Sequence, residues 1–204
     1  MRTSRVARDA KAALQTDKLE AVADRGYYNS PEILKCEQAG ITVTLPKPMT
    51  SGAKSENRFG KQDFVYLADQ DVYRCSAGER LTYRYTNEED GKMLRRYWTT
   101  ACPDCPLKPQ CTKGPERRIR RWEHEQVLEA VQQRLDANPE AMRQRRETVE
   151  HPFGTIKARM GATHFLMKTL PKVASEMALS ALAYNLTRVM NIVGIKPLMA
   201  ALQA

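Results

Sequence analysis

The chain has 204 residues, of which 42% are hydrophobic, so it is long enough to bury the core of one domain together with a small insertion. Its net charge of +9 and pI near 9.4 predict a polyanionic partner. It contains no apolar run of the roughly eighteen residues that a membrane span needs and starts without an apolar signal core, which predicts a soluble, cytoplasmic protein.

The first part of the chain alternates between helical and strand patterns. The predicted elements are a helix at 4–15, a strand at 18–23, a helix that begins with Ser30 as N-cap and Pro31 at its first turn and stops at Gly40, and a strand at 41–45. A helix between two strands predicts a parallel crossover. Asp24 follows the first strand, at the end where such folds gather their chemistry. It is a candidate catalytic residue, and a structural aspartate before a turn is the alternative interpretation.

A linker and a β-rich region follow. Residues 50–62 are rich in Ser, Gly, Lys and Asn and predict a mobile, basic linker. Four closely spaced strand patterns predict an antiparallel meander, at 64–67, 72–75, 81–85 and 94–99.

Four of the five cysteines belong to this region. Cys102 and Cys105 are spaced by two residues, Cys111 follows six positions later, and Cys75 lies upstream. Four such thiolates can ligate zinc tetrahedrally, and this structural metal site is the favoured interpretation. An iron–sulfur cluster and reduced cysteines in a small core are the alternatives. Cys36 lies apart from them and is predicted to serve packing.

The densest positive segment comes at the end of the β-rich region, at Arg117, Arg118, Arg120 and Arg121. Arginines that alternate about Ile119 could lie on one face of an edge strand and follow a phosphate backbone. A solvated charge run is the alternative.

Three helices are predicted for the rest of the chain. The first covers 123–136, the second starts with Asn138 as N-cap and Pro139, and the third runs from Pro171 to about Val193 as a buried supporting helix. The second helix aligns Arg143, Arg146, Glu150 and Lys157 on one stripe, and Pro152 should kink it. This stripe suits a metal-held carboxylate between phosphate-binding cations. An exposed helix with an Arg146–Glu150 ion pair is the alternative.

The spacing of Arg146, Glu150 and Lys157 resembles the signature around the last acid of DDE-class bacterial insertion-sequence transposases. The family pattern has a tyrosine where this chain has Arg143. The residues from His151 to Lys157 resemble the subgroup with a cysteine-rich insertion, and residues 19–28 resemble the strand that ends in the family's second catalytic aspartate.

The resemblance implies phosphoryl transfer on DNA ends by carboxylates that hold Mg²⁺ or Mn²⁺. Asp24 and Glu150 would be the second and third of three acids, and Arg146 and Lys157 would position phosphate. The first acid would precede the first helix, so the chain looks like the carboxyl-terminal portion of a catalytic domain and is expected to be inactive alone. Its partners would be transposon-end DNA, an upstream transposase fragment and further copies in a homo-oligomer.

The predicted fold class is α/β, a partial RNase H-like fold that lacks its first strands and carries an inserted antiparallel β subdomain with the cysteine cluster. The expected regions are 1–50 as the first part of the core, 51–121 as linker and insertion, and 122–204 as helical completion. A non-catalytic DNA-binding remnant or regulator and a zinc-binding interaction module are the other functional hypotheses.

Overall fold

The computed structural model describes residues 3–48, 52–53 and 55–203, and residues 50, 51 and 54 of the predicted linker lie outside these ranges. The chain divides into two compact units, residues 1–137 and residues 138–204. The three regions expected from the sequence are a different division, and they stay a prediction.

The first unit begins with a helix–strand–helix–strand segment. Its elements are α1 (Thr3–Ala13), β1 (Leu19–Val22), α2 (Ser30–Gln38) and β2 (Ile41–Thr44). The two strands pair in parallel, with Leu19 opposite Ile41 and Val22 opposite Thr44, which confirms the predicted crossover. Helix α2 is capped by Asn29, whose side chain accepts a hydrogen bond from the Glu32 backbone N–H. The prediction of Ser30 as the N-cap was therefore wrong by one residue, because Asn29 and Ser30 are both good capping residues.

A five-stranded antiparallel sheet follows, with its strands in chain order, and it confirms the predicted meander. It consists of β3 (Val65–Leu67), β4 (Val72–Arg74), β5 (Arg80–Glu89), β6 (Lys92–Trp98) and β7 (Ile119–Trp122), with the short helix α3 (Lys108–Cys111) before β7. Asp90 and Gly91 form the hairpin turn between β5 and β6. Both have positive φ, at 53° and 69°, as a tight two-residue turn requires.

Helix α4 (Glu125–Ala137) closes the first unit. Leu128 and Val131 of α4 pack with Ile33 of α2 and Val43 of β2 in one buried cluster, which also contains Cys36 as predicted. Arg134 Nε donates to the Val43 carbonyl oxygen over 3.1 Å, so α4 also hydrogen-bonds to β2. A second buried cluster lies under the meander and contains Phe64, Tyr73, Leu81, Tyr97 and Ile119.

The second unit is helical. It contains α5 (Ala141–Ala158), α6 (Leu170–Val193) and α7 (Ile195–Leu202). Helix α5 begins at Ala141 without a side-chain cap, so the predicted start at Asn138 and Pro139 was two residues early, and Pro152 lies inside the helix. The prediction that α6 is a buried helix was wrong: Tyr184 is its one buried residue in the part of the chain that the structure describes. No described helix combines the length and the apolar character needed to cross a membrane.

Candidate functional site

Asp24 lies at the carboxyl end of the parallel strand pair. The Ala23 N–H donates to the Thr44 carbonyl oxygen over 3.0 Å, which ties the end of β1 to the end of β2. Asp24 follows directly and caps a short 3-10 helix, where its Oδ1 accepts from the Arg25 N–H over 2.7 Å. The side chain is exposed, and Oδ2 makes no hydrogen bond with the described residues. One carboxylate oxygen is therefore oriented by the backbone while the other can bind a cation.

Glu150 lies on α5 together with two of its predicted companions. Arg146, Glu150 and Lys157 are all exposed, and none forms an ion pair within 4 Å among the described residues. The Arg146–Glu150 pair expected of an ordinary surface helix is thus absent from the described residues. The two charges lie one helical turn apart on the same surface. This part of α5 therefore presents a carboxylate and two cations that an ion and a phosphate can reach.

Arg143 differs from the rest of the stripe. Its Nε lies 2.7 Å from Glu140 Oε2 and 3.7 Å from Glu147 Oε1, on an exposed helix surface. These exposed pairs are weak, because solvent screens them. Arg143 is therefore held near two acids, whereas Arg146 is not.

Asp24 belongs to the first unit and Glu150 to the second. No group of three or more His, Cys, Asp or Glu side chains within the described ranges is arranged to hold a metal ion. The donor chemistry at each acid still suits a hard divalent cation, since both offer carboxylate oxygens that are free of side-chain partners among the described residues.

The arginine run at 117–121, which leads into β7, divides into exposed and buried members. Arg118 and Arg120 are exposed and pair with Glu116 and Glu89, at 2.8 and 2.6 Å. Arg121 points to the other side of the strand, where it is buried.

Arg121 contacts three neighbouring side chains. Its guanidinium lies 3.7 Å from the Tyr66 ring centroid and donates to Tyr73 Oη and to both Glu129 carboxylate oxygens. The prediction that Arg121 contacts DNA is therefore corrected: strand alternation places it inside the fold, where it ties β7 to α4. Arg117 is half-buried over the Phe64 ring, so it too faces inward.

The four cysteines of the β-rich region line one pocket. Cys75, Cys102, Cys105 and Cys111 share it with Arg117, whose Nε is buried without a hydrogen-bond partner among the described residues. Burial raises the pKa of Cys111, and the Arg117 guanidinium partly opposes this rise. The Cys105 N–H donates to the Cys102 carbonyl oxygen over 3.3 Å, which closes a turn between them. The fold thus gathers the predicted thiols, although they are not arranged to hold an ion.

The sequence interpretation missed an aromatic residue with two cations. The guanidinium groups of Arg84 and Arg118 both lie against the Trp98 ring. Of these three residues, only Arg118 belongs to the run at 117–121. Arg84 and Trp98 lie on different strands, so the sequence does not show that they are neighbours. The signal that could have found them is the pairing of two adjacent strands across the Asp90–Gly91 turn.

A protein-family model described as "Transposase DDE domain" matches residues 74–190, which is more than half of the chain. The matched region contains Arg146, Glu150 and Lys157, whereas Asp24 precedes it. No match was found among curated proteins or among solved structures.

The structure and the family agree at the level of overall architecture. The chain has a mixed α/β fold with helices and an antiparallel sheet, which is consistent with a DDE domain. DDE transposase domains act on DNA and generally use divalent metal ions. The chain therefore belongs to the family of transposase DDE domains, and its general function is DNA transposition.

Proposed function

We propose that the chain supplies Asp24 and Glu150 as two of the three carboxylates of a DDE active site in an RNase H-like fold. The meander would then be the cysteine-bearing insertion of a transposase subgroup. The observation that carries this proposal is the unpaired Arg146–Glu150–Lys157 surface of α5, which lies inside the region that matches the family. The exposed Asp24 at the carboxyl end of a parallel strand supports it.

The two acids suit Mg²⁺ or Mn²⁺, because both ions prefer hard oxygen ligands. When bound, such ions activate the attacking oxygen and stabilise negative charge on the leaving oxygen. Asp24 contributes Oδ2, since the Arg25 N–H holds Oδ1 in a fixed orientation. Glu150 contributes either oxygen, since it forms no ion pair within 4 Å among the described residues.

Arg146 and Lys157 would bind the phosphates that flank the reacting bond. Arg146 lies four positions before Glu150 and Lys157 lies seven after it, so the three side chains share one side of α5. A guanidinium can hold two phosphate oxygens at once, whereas an ammonium acts as a point charge. Arg146 would therefore orient the backbone of the DNA and Lys157 would attract it.

The two proposed carboxylates are one fewer than the three that a DDE site uses to hold its metal ions. We therefore expect the chain by itself to bind DNA and divalent ions without cleaving DNA. Cleavage of supercoiled DNA by the chain alone, in Mg²⁺ and dependent on Asp24, would contradict this part of the proposal.

The experiment that tests the shared site measures Mn²⁺ affinity by calorimetric titration in the presence of DNA. Asp24→Asn and Glu150→Gln are each expected to weaken binding by at least about tenfold, roughly 1.4 kcal/mol. The double variant should lose little more than either single variant, because one ion needs both acids. Glu147→Gln is the matched control, as it removes an exposed carboxylate from the same helix. Additive losses, or no loss, would overturn the proposal.

The cysteine pocket supports a second proposal, a structural metal held by thiolates, with zinc as the favoured ion. Its support is that Cys75, Cys102, Cys105 and Cys111 line one pocket beside a cation with an unpaired donor, Arg117. Binding requires the thiols to move toward one another. Metal analysis of the purified protein is expected to find one zinc per chain, and Cys102→Ser with Cys105→Ser should abolish it. Metal-free, fully folded protein would contradict this proposal.

A further inference from the structure

We propose that one face of the meander, the Trp98 face, binds unpaired bases and the backbone of single-stranded DNA. Its residues are Arg84, Tyr85, Arg96, Trp98, Arg118 and Arg120. This inference rests on the proposed function only in taking DNA as the ligand, and it assigns the DNA-contacting surface to residues outside the metal-binding acids.

A β-bulge builds this face. The pairing of β5 with β6 changes register between Tyr83 and Tyr85: Tyr83 lies opposite Tyr97, and Tyr85 lies opposite Arg96. Without the extra residue, alternation would put Tyr83 and Tyr85 on the same face. The bulge instead moves Tyr85 to the side of the sheet that carries Arg96 and Trp98. Its ring centroid lies 5.9 Å from that of Trp98, edge to face.

Two guanidinium groups lie over the indole ring of Trp98. Arg84 Cζ lies 5.4 Å from the ring centroid and Arg118 Cζ lies 4.9 Å from it. A cation over an aromatic face is attracted by the ring's negative face. Tyr85 is 45% exposed and Trp98 is half-buried, so part of each side chain faces solvent.

The face carries an excess of positive charge. Four arginines meet two glutamates: Arg96 and Arg120 both contact Glu89, and Arg118 pairs with Glu116. Arg84 is exposed and has no ion-pair or hydrogen-bond partner in the described part of the chain. Its guanidinium can therefore contact a phosphate while it lies over the Trp98 ring.

These features favour single-stranded over double-stranded DNA. A duplex presents its phosphates but keeps its bases stacked inside. Its phosphates could contact the arginines, but its bases could not stack on the aromatic rings. Unpaired bases can stack on Trp98 and Tyr85, while neighbouring phosphates meet Arg84 and Arg118. Exposed rings interleaved with cations are the combination that single strands use without regard to sequence.

The test measures the binding of fluorescein-labelled oligodeoxythymidine to the full chain by anisotropy, in EDTA. Trp98→Ala and Arg84→Ala are each expected to weaken binding by about tenfold, in line with the loss of one stacked base. Trp98→Phe should restore most of the affinity, because it keeps an aromatic face. Arg5→Ala is the control, as it removes an exposed arginine from α1, outside the sheet, and it should change affinity less than about twofold.

Further measurements separate the outcomes. Because Arg84 is exposed, its replacement is not expected to disturb the fold, and a loss of affinity in Arg84→Ala then reports a lost DNA contact. The circular dichroism of each variant checks this point. EDTA removes the divalent ions, so this assay measures binding without the proposed metal site. Failure of the metal-site proposal would therefore not disturb this assay. Equal affinities for Trp98→Ala, Arg84→Ala and Arg5→Ala would overturn the inference. So would a duplex that binds more tightly than the single strand and ignores Trp98.

Discussion

The two units of the chain differ in how they bury apolar side chains. The first unit has two buried clusters, and Ile33, Val43, Leu81 and Tyr97 in them are 0–1% exposed. In the described part of the second unit, the buried residues are Ala141, Ile156 and Tyr184. Large apolar side chains of α6 and α7 are instead exposed, among them Leu182 at 63%, Ile192 at 72% and Leu202 at 72%.

This difference indicates where stability comes from. Burial of apolar surface is the main favourable contribution to folding, so the first unit can be stable by its own contacts. The second unit has helices of considerable length but covers little of their apolar surface, and helices in water depend on such packing. The proposed Glu150 surface therefore lies on the less strongly stabilised unit, and Asp24 on the more stable one.

The largest expected effect is on the free energy of unfolding, in a comparison of one isoleucine from each unit. Ile33→Ala removes a side chain that is 0% exposed in α2 and should lower the free energy of unfolding by about 2–5 kcal/mol. Ile192→Ala makes the same change in α6 at a 72% exposed position and should lower it by less than about 0.5 kcal/mol. Urea denaturation monitored by circular dichroism measures both. Equal losses would contradict the comparison.

A second effect tests a polar contact within the first unit. Glu32 Oε2 accepts from Ser4 Oγ over 2.6 Å and from the Ser4 N–H over 3.2 Å, so it attaches α1 to α2. The Ser4 hydrogen bond, followed by that of Lys35, lowers the pKa of Glu32 from 4.5 to about 2. Its contribution is complete above about pH 4.5 and is lost as the pH falls toward 2.

Glu32→Gln should therefore lower the free energy of unfolding by about 1.5–3 kcal/mol at pH 7. Between pH 4.5 and pH 2 the variant should lose less stability than the unaltered chain, since it has no carboxylate to protonate there. Thermal unfolding across this range measures the slope. Glu37→Gln, on an exposed part of the same helix, should behave like the unaltered chain. An unchanged acid slope in Glu32→Gln would refute this assignment.

The smallest effect on stability is expected on α6. Leu182→Gln replaces an exposed leucine by a residue of similar helix propensity, so the free energy of unfolding should change by less than about 0.5 kcal/mol. The same change should reduce the binding of a hydrophobic fluorescent dye, because it removes exposed apolar surface. A loss of several kcal/mol, as expected for the buried Leu128→Gln in α4, would show that Leu182 is covered.

Much of the first unit could be predicted because its elements depend on local patterns. The alternation of Ile41 and Val43 with threonines predicts a half-buried strand, and Gly40, at φ +66°, ends the preceding helix as expected. The meander follows from short strands with turn residues between them. In each case neighbouring residues determine the structure, so the sequence carries the signal.

Other features depend on contacts that a sequence pattern does not contain. The direction of Arg121 depends on Glu129 and Tyr73, and the position of Tyr85 depends on a one-residue bulge. The exposure of α6 was missed because an apolar helix has the same sequence pattern whether or not its surface is covered. For the candidate site, the sequence identified the acids and their neighbouring cations. Only the structure shows that Arg143 pairs with Glu140 and Glu147, whereas Arg146 forms no ion pair among the described residues.

The central proposal is that Asp24 and Glu150 hold the same divalent ions. The most direct measurement replaces those ions with Fe²⁺ in the DNA-bound protein and maps where ascorbate and peroxide cleave the polypeptide. The account predicts backbone cuts near both Asp24 and Glu150, and loss of both sets of cuts in either Asp24→Asn or Glu150→Gln. Cuts near only one acid, or cuts that persist in both variants, would contradict it.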